Sequence, residues 1–509
     1  MPLDTGRASK PQRSAAILLS ELAALRNRVI AEGNETLCRW GTIERRGFRL
    51  SARNLAEYLA LRRRDLRNLQ SDLMPWGLSS LGRLESRVRP TLDAVSSTLR
   101  CLAGTTPHPE HGIASGRQFF RGERLLRRNS RELFGPTVGT RQVHILATLS
   151  KVAAEDREFV SGIIARGVTA VRINCAHDTP AEWERMIANV RAAEHALGRS
   201  VRVLMDLAGP KIRIGQIVDF GERAVAGQMV LLTETVMPDA AEYPFQISVA
   251  PEILRCIELG HRISIDDGRL GMIAEELVTE GLLARVEQGD PSGFRLKPEK
   301  GINLPDSNLG LGPLTAKDLA DLDFVAAHAD LIGYSFVKSA ADIKTLQDQL
   351  AARRPVDWRR LAIIAKIETP AAVANLPDII VTAASRQPFG IMIARGDLAV
   401  ELGFERLAEM QEEILWLAEA AQVPVIWATQ VLEQLVKKGL PTRGEMTDAA
   451  MAARAECVML NKGPYIENAV EALDRLLTRM AEHQSKKTSR MRALRAWRSP
   501  WEEPGSGAS

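Results

Sequence analysis

Lys366 and Glu368 stand two positions apart in Ala365-Lys366-Ile367-Glu368, and Asp397 closes the triplet Arg395-Gly396-Asp397. On a strand, a spacing of two puts Lys366 and Glu368 on the same side. Two carboxylates converging on one point suit a hard divalent cation such as Mg²⁺ or Mn²⁺, which prefers oxygen ligands. A lysine beside them can offset charge that develops on an oxyanion or a phosphoryl oxygen. Gly396 allows the backbone to approach an anion closely. Arg172 and Arg213 are candidates for gripping phosphate, because a guanidinium offers a planar fork of donors. Further polar residues recur in equivalent places: Asn174 and His177 after Arg172, Asp206 before Gly209-Pro210-Lys211, Thr429 after Ala428, and Asn461-Lys462-Gly463. Any one of these alone is most often a salt bridge, a cap or a turn. What points to a shared site is their recurrence at the ends of successive apolar runs.

Those runs define the elements that must hold the site. From Thr140 onward, short apolar, β-branched stretches alternate with amphipathic ones. The expected strands are 142–149, 170–175, 202–207, 331–337, 361–368, 390–397, 424–431 and 457–462. Helices are expected over 156–166, 181–197, 316–328, 340–352, 407–421 and 465–483. Continuous apolar character suits parallel strands covered on both faces. Eight such units predict a (β/α)₈ barrel, an α/β fold whose chemistry collects at the carboxyl ends of the strands. A doubly wound open sheet is the rival, because periodicity alone does not close a barrel. Residues 212–300 differ in texture, with short alternating stretches and turn signals such as Asp266-Asp267-Gly268. They predict a small all-β domain inserted after the third strand, placed to act as a lid over the barrel mouth. Residues 1–135 lack strand-like alternation and predict an all-α extension of three helices, the third following Ser80. The expected organisation is therefore extension 1–135, barrel 136–211, lid 212–300, barrel 301–485 and a basic, disordered tail 486–509.

The 509 residues are 45% hydrophobic and 26% charged, with a net charge of +4, an ordinary globular balance. The basic run 117–131 reads as a solvated linker or a helix face docked on acidic surface, rather than as a nucleic-acid or membrane patch. Five scattered cysteines show no CxxC spacing, which argues against a disulfide framework or a structural zinc site. With no apolar run long enough for a bilayer and no signal-peptide core, a cytoplasmic protein is expected, with neither nucleic acid nor membrane as partner.

Ordered along residues 140–480, the motifs resemble the pyruvate kinase family. They are Val171-Arg172-Ile173-Asn174 with His177, Asp206 with Gly209-Pro210-Lys211-Ile212-Arg213, Ile265-Asp266-Asp267-Gly268, Gly301-Ile302-Asn303-Leu304-Pro305, Leu314-Thr315 with Lys317-Asp318, Ser335-Phe336-Val337, Lys366-Ile367-Glu368, Ala394-Arg395-Gly396-Asp397-Leu398, Ala428-Thr429-Gln430-Val431-Leu432-Glu433, and Pro441-Thr442-Arg443 with Glu445. The resemblance implies phosphate transfer from phosphoenolpyruvate to ADP, giving pyruvate and ATP. It implies that Glu368 and Asp397 bind the metal, that Lys366 stabilises the transferring phosphoryl group and the enolate, and that Arg172 grips the phosphate. Gly396 and Asp397 would hold the substrate carboxylate, and Thr429 would sit by the enolate carbon. Asn174, His177 and Arg213 would face the nucleotide phosphates.

The chain also departs from the family's pattern. Ala176 stands where a cation-binding Ser is usual, and Leu207 where Thr is usual. Lys211 occupies a position that is Glu in potassium-dependent members and often Lys in potassium-independent ones. Together these imply that K⁺ is not required, Lys211 being its surrogate. Substitutions at Ser150-Lys151 and Asn461-Lys462-Gly463 leave nucleotide preference open. The family's C-terminal effector domain is expected to be absent, and a homo-oligomer is expected on general grounds. Two other readings stay open: a metal-dependent lyase or aldolase of related barrels, and a non-catalytic regulatory relative.

Overall fold

A computed structural model describes residues 12–78, 80–105, 114–240, 242–307, 309–486 and 488–489. Eight parallel strands close into a ring: β1 (His144–Thr148), β2 (Ala170–Asn174), β3 (Arg202–Asp206), β4 (Leu331–Tyr334), β5 (Ala362–Ile367), β6 (Phe389–Ala394), β7 (Val425–Ala428) and β8 (Cys457–Leu460). Neighbours follow chain order, and β1 pairs with β8 to seal the barrel. Closure rules out the open-sheet rival. Five of the strands are buried at every position, as their uninterrupted apolar character requires.

The observed strands stop short of the expected runs. The clearest case is β6, expected to reach Asp397 but ending at Ala394. There the helix Arg395–Leu402 begins, because the Arg395 guanidinium turns back onto the Ala428 and Thr429 carbonyls and onto Asp448. Gly396 and Asp397 therefore lie in the first turn of a helix, not at the end of a strand.

Between β3 and β4 the chain forms a seven-stranded sheet, with Leu270–Val278 and Gly281–Gln288 as its central hairpin. It has its own core, including Val230, Ile247, Ile263, Met272 and Val286. Its first turn signal behaves as such: Asp266 and Asp267 both adopt the left-handed conformation before Gly268.

Among its described residues the N-terminal segment holds four long helices rather than three: α1 (Ala15–Trp40), α2 (Arg49–Arg62), α3 (Val88–Leu102) and α4 (Arg121–Phe134). Ser14 caps α1, and Leu18, Leu22, Leu25 and Val29 form its buried stripe. The helix beyond the expected three is α4, made from the basic run, which takes the helical of its two expected forms. Its arginines face outward, while Leu133 and Phe134 at its end enter the barrel interior beside Leu146, Leu204, Ile364, Met392 and Met459. The run is thus a helix that plugs the barrel floor. Polar contacts fasten the extension: Asn54 Nδ2 donates to the Ala420 carbonyl (2.8 Å) and Asn129 Nδ2 to the Gln422 carbonyl (2.7 Å). The basic tail expected over 486–509 lies outside the described residues, except for 486, 488 and 489.

Candidate active site

The polar residues at the strand ends meet in one network. Asp206, at the end of β3, is fully buried, and its Oδ2 accepts from Arg172 of β2 through Nε (2.8 Å) and a terminal nitrogen. Lys366 of β5 lies 3.6 Å from the same oxygen, two strands away. The reach is possible because β4 contributes Gly333 between them. A Cβ at Gly333 would fall 2.4 Å from Asp206 Oδ1, so any side chain there would displace the carboxylate. Lys366 Nζ also pairs with Glu368 Oε1 (2.9 Å) and donates to Ser335 Oγ (2.8 Å). Ser335 in turn donates to the Leu207 carbonyl (2.7 Å), so the hydroxyl is fixed as an acceptor toward the lysine. The second Glu368 oxygen accepts from the Phe336 backbone amide (2.5 Å), and Phe336 adopts a left-handed conformation to present it.

Electrostatics set the protonation of this cluster. Burial alone would raise the Asp206 carboxyl, but the charges of Lys366 and Arg172 outweigh it and hold the group below its ordinary range. Burial works against the charged form of Lys366, yet Asp206 and Glu368 together keep its ammonium more firmly protonated than usual. Glu368 goes the other way. Burial raises it, Lys366 opposes, and the like charge of Asp397 adds to the rise. The like charges of Glu368 and Asp397 therefore oppose one another, which a divalent cation between them would relieve. Their hard oxygens suit Mg²⁺ or Mn²⁺. Among the described residues no group of three or more His, Cys, Asp or Glu is arranged to hold a metal. The Glu368–Asp397 pair would supply two ligands to such a cation.

Asp397 is tied to the inserted sheet. Lys211 Nζ lies 3.0 Å from Asp397 Oδ1 and 3.3 Å from Asp267 Oδ1. Burial disfavours the Lys211 charge, but the two carboxylates more than compensate and raise it. The ammonium thus stands at the carboxylate expected to bind metal. Asn303, from the strand returning to the barrel, donates to Glu401 (3.3 Å) and more distantly to Asp397 (3.5 Å). Beyond Asp397, the Gly396 amide donates to Thr429 Oγ1 (2.8 Å). Thr429, Gln430 and Leu432 all have positive φ, so the loop after β7 is held in a strained path that places Thr429 against the helix start.

Of the residues expected to face the nucleotide, His177 lies close enough to Arg213, Lys462 and Arg172 to feel their charges. Burial lowers the His177 imidazole, and the nearby positive charges of Lys462 and Arg213 lower it further. His177 is thus neutral near pH 7. Asn174 Oδ1 accepts from the Ala176 amide (3.1 Å), and Arg213 donates to the Glu299 carbonyl (2.9 Å). Lys462 was not assigned a role from sequence, nor were Asp206, Ser335, the Phe336 amide and Asn303. For Asp206 the signal was present, a lone carboxylate ending an apolar strand. For the Phe336 amide there was none.

Residues 140–470 match the family model described as pyruvate kinase, barrel domain. A pyruvate kinase of Methylorubrum extorquens is 34% identical over 346 residues, covering 66% of this chain and 68% of that protein. One from Thermococcus litoralis is 34% identical over 358 residues, covering 69% and 72%. One from Mycobacterium tuberculosis is 30% identical over 354 residues, covering 68% and 71%. Among the described residues, no helix is long and apolar enough to cross a membrane.

Proposed function

This chain belongs to the pyruvate kinase family, and on that premise we propose that it moves phosphate from phosphoenolpyruvate to ADP, with Mg²⁺ or Mn²⁺ and without K⁺. The observation that carries the proposal is the Lys366 ammonium, held protonated beside Glu368 and Asp206 at the carboxyl rim of the barrel. It is fixed by Ser335 before any substrate arrives. A charge already in position needs no reorganisation when negative charge moves onto the transferring group or the enolate.

The remaining roles are those that the family resemblance implies. Glu368 and Asp397 would hold the divalent cation, which supplies neutralisation of phosphoryl charge. Arg172, oriented by Asp206 through two of its nitrogens, would grip the phosphate with its remaining donor face. The Asp397 amide in the first turn, and the Gly396 amide once it releases Thr429 Oγ1, would take the substrate carboxylate. Asn174, neutral His177 and Arg213 would face the nucleotide phosphates. Lys211 would stand where a monovalent cation would otherwise sit. The inserted sheet of residues 212–300 would serve as the lid that excludes water.

The test is ADP-dependent pyruvate release from phosphoenolpyruvate, measured with and without K⁺. Lys366→Met is expected to abolish it while the fold survives by circular dichroism. Oxo-acid cleavage without ADP would move the chain to the metal-enolate lyases. Metal binding with neither activity would make it a regulatory relative.

A further inference from the structure

The end of the barrel remote from this chemistry carries a cleft of about 530 Å³ between the extension and the barrel floor. One wall comes from the extension and includes Arg45 and Leu133. The other comes from the strand starts and the segment entering β5, with Arg202, Arg354, Arg359 and Arg360. Five guanidinium groups thus line the cleft with three carboxylates, Glu132, Asp330 and Asp357, leaving an excess of positive charge.

Several of these cations are spoken for. Arg45 makes a two-pronged pair with Glu132 (2.6 and 2.7 Å), Arg354 pairs with Asp357, and Arg359 pairs with Glu44 (2.7 Å). Others have donors to spare. Among the described residues the Arg360 guanidinium makes no hydrogen bond or ion pair. Arg202 reaches Asp330 only at 3.5 Å, and its Nε is enclosed without any partner. A second cavity of about 640 Å³ shares Arg202 and continues to Arg131, whose guanidinium also lacks a partner among the described residues. Unsatisfied guanidinium forks on the walls of a concave site are the chemistry that selects phosphoryl groups. The volume suits a small molecule. The interspersed carboxylates disfavour a nucleic-acid backbone, whose phosphates would meet them, and suit the hydroxyls of a small ligand.

We propose that this cleft is a second binding site, for a small molecule bearing one or two phosphoryl groups, at the joint between the extension and the barrel floor. Such a ligand would bridge Arg360 and Arg202 of the barrel and bear on Arg45 of the extension.

The experiment is calorimetric titration of the full chain with inorganic pyrophosphate, followed in parallel by tryptophan fluorescence, since Trp358 lies under the Arg359 guanidinium (4.9 Å) beside the cleft. Arg360→Glu, at an exposed position, is expected to weaken binding by about tenfold or more, with Arg359→Ala as a milder second variant. Arg213→Ala, at the opposite rim, is expected to leave the calorimetric affinity unchanged, and Trp358→Phe to remove the fluorescence response. No binding at millimolar pyrophosphate overturns the proposal. So does binding that Arg213→Ala weakens and Arg360→Glu does not, which would place the ligand at the active-site rim. A single-stranded oligonucleotide that displaces pyrophosphate with higher affinity would also overturn it, in favour of a nucleic-acid surface.

Discussion

Asp206 does most of the organising at the candidate active site, by orienting the residues proposed to meet the substrate. It holds Arg172 through two nitrogens and faces Lys366, so two cations share one buried carboxylate. Asp206→Asn removes that counter-charge. Lys366 then loses one of the two carboxylates that raise it, and its proton departs at lower pH. The alkaline limb of the kcat profile is expected to move down by about one pH unit or more, read from steady-state rates across pH. An unmoved limb would mean that Glu368 alone sets the lysine. For stability the sign follows from the raised ammonium: its ion-pair contribution is whole below the unfolded lysine value and fades only in strong alkali. Leaving Arg172 without its buried carboxylate, and Lys366 with Glu368 alone, is expected to cost about 3–5 kcal/mol at neutral pH, read as a lower denaturation midpoint. Sequence made Lys366, Glu368 and Asp397 legible because their types and spacing state their chemistry. Asp206 acquires its meaning from ring closure, which brings β2, β3 and β5 around the gap that Gly333 leaves. The sequence marks Asp206 as a carboxylate ending an apolar run, but not which cations it holds.

Among the elements, the eight strands were legible because burial on both faces leaves an apolar run that little else produces. The docking of helix α4 in the barrel floor was not, because its density of arginine masks the few apolar residues that do its packing. Phe134 is fully buried, rests against the His144 ring at 5.2 Å between centroids, and belongs to the barrel's interior cluster. Phe134→Ala is expected to destabilise the chain by about 3–5 kcal/mol, seen as a lower midpoint in denaturant, although the residue lies at the far end of the barrel from the chemistry. The same seam sets a pH response. Burial, aided by the positive charges of Arg141 and Arg131, depresses His144 to about 3. Its unfolded value is about 6.5, so the unfolded chain takes up the proton first as pH falls. The stability associated with neutral His144 is whole above pH ~6.5 and is lost toward pH ~3, by up to about 1.4 kcal/mol per pH unit. His144→Gln is expected to flatten thermal stability between about pH 6 and pH 4 relative to the native chain. Parallel curves for the two proteins would count against it.

At the scale of the whole molecule, Lys211 is where the inserted sheet and the barrel meet electrostatically. One ammonium spans Asp267 of the sheet and Asp397 of the barrel. Lys211→Glu would put a third carboxylate between them, and we expect the variant to require K⁺ for full activity and to bind Mn²⁺ differently in its absence. Rates and metal titrations, each with K⁺ and with a bulky organic cation in its place, read this out. A K⁺ response identical to the native chain would refute the surrogate role. The residue was legible as a positive charge among phosphates, but its two partners were not, since they are supplied by segments far apart in sequence.

The plug has a consequence for how the molecule comes to exist. Leu133 and Phe134 lie in the extension, which a ribosome releases before any strand, whereas the ring that encloses them closes only when β8 reaches β1. During synthesis the end of α4 therefore carries two large apolar side chains with no cavity yet built to receive them. The pairing that finishes the cavity joins nearly the most distant elements of the barrel, a slow class of contact to form. Such a chain is most vulnerable to self-association while still incomplete. A polar replacement at Leu133 or Phe134 would trade some final stability for an easier passage through that interval.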